Sequence, residues 1–97
     1  MNRDRARELA AEYLSRFPSG EQLALFGDDM IEDHGWCYVL PWNTSRYVQS
    51  LDLRDSIGPG PGPIVVVKQT GETWMMGSAL PPVEQLAIYA RDHGIEQ

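Results

Sequence analysis

The sequence predicts an α+β fold, an antiparallel sheet of about four strands with an N-terminal and a C-terminal helix packed on it. Three observations carry this. Apolar residues recur at helical spacing at both ends of the chain, alternating and β-branched runs lie between, and Gly- or Pro-rich clusters stand at the joints. With 97 residues, the chain fits one domain spanning 1–97.

Ala6, Leu9, Ala10, Tyr13, Leu14 and Phe17 fall three and four apart, which predicts a helix from Arg3 to Arg16 with one apolar stripe. Asn2 is placed to cap it, Asp4 suits its first turn, and Pro18, Ser19 and Gly20 end it. From Gln22 to Glu32 the apolar residues Leu23, Leu25, Met30 and Ile31 surround Gly27, Asp28 and Asp29, which reads as an interrupted strand or two short ones. His34 and Gly35 make the turn to a strand over Gly35–Trp42. There Trp36, Tyr38, Leu40 and Trp42 share one face, and Cys37, Val39 and Pro41 the other.

Asp52 could cap a helical turn ending at Ile57, before Gly58. The Gly-Pro alternation from Gly58 to Pro63 excludes helix and central strand, since Pro lacks a donor and Gly has no side chain to pack. Ile64–Val67 is β-branched and predicts a central strand. Thr70 and Gly71 turn it into a return strand over Thr73–Gly77. Pro81 and Pro82 open the last helix, with Val83, Leu86, Ala87 and Ala90 as its buried stripe and His93 and Gly94 as its end. Both helices are expected on one face of the sheet.

Composition narrows the function. Fourteen acids against eight bases give a net charge of −6. From residue 17 onward there are eleven acids against four bases, a net −7. That sign repels phosphate backbones, so no nucleic-acid partner is predicted. It favours a basic protein surface, or serves solubility alone. No apolar run is long enough to span a membrane, and Asp4, Glu8 and Glu12 interrupt any leader-like stretch, so a cytoplasmic location is expected. One cysteine cannot form an internal disulfide.

No catalytic constellation emerges. Cys37 and His34 are three apart, but the nearby Asp29, Glu32 and Asp33 disfavour a thiolate, and a mid-strand cysteine between aromatics reads as a small core residue. Asp28, Asp29, Glu32 and Asp33 offer oxygen ligands without the spacing or bidentate Glu of a calcium loop, so neither metal nor cofactor is predicted. The Gly-Pro run offers too few amides to cradle a phosphate. The acid cluster instead suits a charged edge or a contact for a basic partner. Trp42, Tyr47 and Trp74 lie near strand ends and are expected to be partly exposed. Asp28, Asp29, Glu32, Asp33, Trp42 and Trp74 are therefore the candidate partner-binding residues, with no catalytic residue assigned.

Four local features recur together: Gly35-Trp36 opening an aromatic strand, Gly60-Pro61-Gly62-Pro63 leading into Ile64–Val67, Thr70-Gly71-Glu72 at the next turn, and a helix at each end. In this order, from about residue 23 to 93, the chain resembles the YrhB-like domain, also classed as the immunity protein 35 family. Its glycine, glycine-proline, valine pattern falls on Gly60, Gly62, Pro63 and Val66. Pro41, Pro59 and Pro61 depart from it. The resemblance implies a small bacterial cytoplasmic protein that binds and neutralises a cognate toxin without catalysis. A relative is regarded instead as a small chaperone-like stress protein that holds unfolded clients, and this is the alternative. Self-association into a homodimer is left open.

Overall fold

The structure is a computed structural model that describes residues 1–17, 21–52, 54 and 62–95. Helix α1 (Arg3–Ser15) starts where Asn2 caps it, its side-chain oxygen accepting from the Arg5 N–H at 2.9 Å. Ala6, Ala10 and Leu14 form its buried stripe, with Leu9, Tyr13 and Phe17 packed alongside. The stretch after it divides into β1 (Leu23–Leu25), a 3₁₀ turn (Asp28–Met30) and β2 (Glu32–Asp33). Two short strands is the reading that holds.

Gly35 has φ of +85°, a left-handed conformation that L side chains rarely adopt. Its N–H donates to Asp33 Oδ1 at 2.9 Å, which closes the turn into β3 (Cys37–Leu40). The predicted strand over 35–42 is cut at Pro41, which has no N–H to give to a ladder. Its carbonyl accepts from Phe26 N instead, and the chain leaves the first sheet as β4 (Trp42–Thr44), pairing antiparallel with β1. Thr44 then caps α2 (Ser45–Ser50), Oγ1 accepting from Tyr47 N at 3.1 Å, so a helix forms before Asp52. The expected turn from Asp52 to Ile57 lies mostly outside the described residues. So do the helix stop at 18–20 and the Gly-Pro run through Pro61.

Strands β5 (Ile64–Val67) and β6 (Thr73–Met75) form the expected hairpin, and α3 (Pro82–Asp92) closes the fold. The larger sheet has the order β2-β3-β5-β6, all antiparallel, with β5 inside as expected. Every residue of β3 and β5 is buried. On one face Tyr38, Leu40, Ile64 and Val66 pack under α1. On the other, Cys37, Val39, Val65 and Met76 pack with Leu86 of α3. The helices therefore cover opposite faces, correcting the one-face expectation. Two apolar faces cannot both be buried by one layer of helices, and burying each Val, Leu or Ile contributes about 1.5–3 kcal/mol.

Three further corrections follow. Trp36 precedes β3 and packs on the α3 side, not with Tyr38. Val83 is 75% exposed because it sits in the first turn of α3, while Leu86 and Ala90 form the buried stripe. Trp42 is only 8% exposed, edge-on to Phe17 with ring centres 5.5 Å apart. Its Nε1 donates to the Gly62 carbonyl at 3.0 Å, so its expected exposure does not hold. No helix among the described residues is long and apolar enough to cross a membrane.

Candidate functional site

The acid cluster sits at the β2 edge of the larger sheet. The 3₁₀ turn and β2 hold Asp28, Asp29, Glu32 and Asp33 at the surface. Three of the four have a nitrogen partner. Arg7 Nη1 lies 3.3 Å from Asp28 Oδ1 and donates to the Phe26 carbonyl at 2.7 Å, tying the turn to α1. The imidazole of His34 meets Glu32 Oε1 at 2.9 Å. Lys68 Nζ donates to Asp33 Oδ1 at 2.7 Å while lying 4.5 Å from the centre of the Tyr38 ring.

The Lys68 hydrogen bond, helped by the Gly35 N–H, holds the Asp33 carboxyl below its ordinary range, and Lys68 is raised in return. Arg7 and Lys68 stand against Asp28 and Asp33, Glu32 meets the His34 ring, and among the described residues Asp29 of the four has no nitrogen partner. The cluster is thus partly neutralised by the fold itself, and among the described residues no three His, Cys, Asp or Glu side chains are grouped so that they could hold a metal ion.

The opposite edge is built differently. The strand β6 is flanked by α3, and Tyr89 on that helix is the centre of an aromatic stack. Its ring lies 5.6 Å from Trp36 at an interplanar angle of 6°, 5.1 Å from Trp74 at 20° and 3.9 Å from His93 at 17°. Burial first, then a hydrogen bond with Glu72, pushes the Tyr89 hydroxyl up to about 12. Gln85 shapes the neighbouring loop, accepting from Gly77 N at 2.9 Å and donating to the carbonyls of Gly77 and Leu80 at 2.9 and 2.7 Å. The result is an apolar groove of about 260 Å³ between α3 and β6, lined by Trp74, Leu80, Ile88, Tyr89 and His93 with Gln85 and Asp92 at its rim.

The six sequence candidates therefore do not form one patch. The four acids share the β2 edge, Trp74 lies three strands away, about 14 Å at ordinary strand spacing, and Trp42 is in the core. Sequence reasoning missed Tyr89, Leu80, Ile88 and His93. The available signal was the spacing of four between Tyr89 and His93, which places the rings one turn apart on one helix flank.

Burial pushes the Cys37 thiol up to about 11 and removes it from solvent, while the His34 ring faces Glu32. A cleft of about 490 Å³ between α1 and β1 is lined in part by Arg7, whose guanidinium is engaged with Phe26 and Asp28.

The profile of the family described as immunity protein 35 matches residues 4–89, from the first turn of α1 to Tyr89 on α3. The chain belongs to the immunity protein 35 family. No curated protein and no solved structure matches it. As an immunity protein 35 member it carries a family match across both sheets and all three helices, so both edges lie within the family's domain.

Proposed function

We propose that this chain is a non-enzymatic, cytoplasmic immunity protein that neutralises a cognate bacterial toxin by binding it stoichiometrically. The family match over residues 4–89 carries the reading. Two surface features support it. The groove at α3 exposes apolar area beside aromatic anchors, the composition of an interface centre. The acids at the β2 edge, Asp29 above all, add a field that steers a basic partner. In this proposal Asp28, Asp29, Glu32 and Asp33 act on encounter and Trp74 on the bound state. Trp42 supports the fold from the core.

The chaperone-like alternative needs a broad contiguous apolar surface. Of the exposed large apolar residues, Leu80, Val83 and Ile88 lie on or just before α3, while Met1, Met30 and Leu51 stand on other segments, so the apolar exposure is local rather than broad, which favours a specific partner.

The test is survival. Cells expressing the toxin encoded beside this gene are expected to grow when the chain is co-expressed and to die without it. Death in both cases refutes toxin neutralisation.

A further inference from the structure

The two edges of the larger sheet are finished differently. Strand β2 is two residues long and both are acids, the usual way to discourage strand addition. Strand β6 carries Thr73, Trp74 and Met75, without a charge or a proline. Its register pairs Val65 with Trp74, and Glu72 and Met76 bond toward the β5 side through Val67 N and the Pro63 carbonyl. By antiparallel alternation, the N–H and C=O of Thr73 and Met75 point away from β5. Among the described residues no strand lies beyond them.

The groove opens beside this edge. At about 260 Å³ it lies below the usual size of a small-molecule site and suits one large side chain. Its wall contains Trp74 Nε1, a buried donor with no acceptor among the described residues. Acids flank it: Glu72 just before β6, hydrogen-bonded to the Tyr89 hydroxyl, and Asp92 on α3, which pairs with Arg91 at 3.9 Å on an exposed surface.

We infer that the free edge of β6 and the α3 groove together take an extended segment of the toxin as a fifth strand, with one apolar side chain in the groove and Lys or Arg beside it. This rests on the toxin-binding reading. Strand addition supplies four backbone hydrogen bonds, through the donor and acceptor of Thr73 and of Met75, and alternate side chains then face the groove. The flanking basic residues meet Glu72 and Asp92. A second copy is disfavoured as occupant, because it brings the same acids and a net −6 against this edge.

The experiment pans random linear peptides displayed on phage against the immobilised full chain, then measures selected peptides by fluorescence polarisation. Enriched peptides are expected to alternate, with one large apolar residue flanked by Lys or Arg. Thr73→Pro removes an outward donor and blocks the edge while leaving the β5 ladder intact, and should abolish binding. Ile88→Lys, on an exposed helix position that guards against misfolding of the proline variant, and Asp92→Lys should each weaken binding at least about tenfold.

No enrichment, or peptides that bind Thr73→Pro and Ile88→Lys as well as the parent, would overturn the assignment. So would a dimer of the parent chain that Thr73→Pro dissolves, since the edge would then belong to a second copy. Full protection from the toxin by Thr73→Pro and Ile88→Lys removes the groove while leaving toxin binding standing. Failure of the parent chain to protect, with peptide binding intact, removes the toxin and keeps the edge.

Discussion

Gly62 lies where two parts of the fold meet, and its substitution tests that packing directly. Its N–H donates to the Met76 carbonyl at 2.9 Å, and its own carbonyl accepts from Trp42 Nε1 at 3.0 Å. A Cβ added at Gly62 would lie 2.8 Å from Met76 Cβ, 3.1 Å from Met76 O and 3.4 Å from its carbonyl carbon. Two of those atoms are backbone, so a rotamer change cannot relieve the clash. Overpacking of this kind costs about 1–3 kcal/mol, and weakening either hydrogen bond adds about 1. The unfolded chain returns about 0.4–1 kcal/mol by losing glycine's freedom. Gly62→Ala is therefore expected to destabilise by about 1–3 kcal/mol, or roughly 4–20 °C in Tm for a domain of this size.

Gly77→Ala is the control, because nothing lies within 4 Å of its added Cβ. Urea unfolding of both variants, at an unchanged m-value, gives the comparison. Equal stabilities for the two would refute the close approach of Gly62 to Met76.

Other expectations concern the core, the ion pair and the thiol. Leu86→Ala, at 6% exposure, should cost about 2–5 kcal/mol, while Val83→Ala, three residues earlier on α3, should stay within about 0.5; urea midpoints decide. Asp33 is lowered in the folded state, so the stability it gives is present above its unfolded value and lost as pH falls through the folded one. Asp33→Asn should flatten the acid limb of a stability profile below pH about 4, and an unchanged limb would reject the Lys68 contact. Tyr89 is raised to about 12, so unfolding should become easier between pH about 10 and 12, with Tyr89→Phe removing that loss. Cys37 should stay unreactive toward a thiol reagent at pH about 8 until denaturant is added.

Local signals in the sequence were read well where they stood alone. Asn2 and the Ala6–Ala10–Leu14 spacing define α1, and four β-branched residues in a row place β5 inside the sheet. The second helical layer was missed, although 37–40 and 64–67 are apolar on both faces, a pattern that requires cover on each side. Pro41 hid the second sheet. Alternation runs straight through it from Tyr38 to Trp42, while the missing N–H sends Trp42 to a different partner strand.

The candidate site was legible only in parts. Charge is a property of sequence, so the acid cluster was visible, but Arg7 and Lys68 reach it from other elements, and their neutralisation needs the fold. The groove depends on Trp74 from β6, Leu80 from the loop and Tyr89 from α3 arriving together, with helix position setting which flank Tyr89 presents.

The central claim is neutralisation by binding without chemistry. Its most direct measurement titrates the purified chain against the toxin encoded beside its gene while following residual toxin activity. The account predicts a linear fall that ends at one chain per toxin, with intact toxin recovered on dissociation. Loss of activity far below equimolar, or toxin recovered chemically altered, would contradict it.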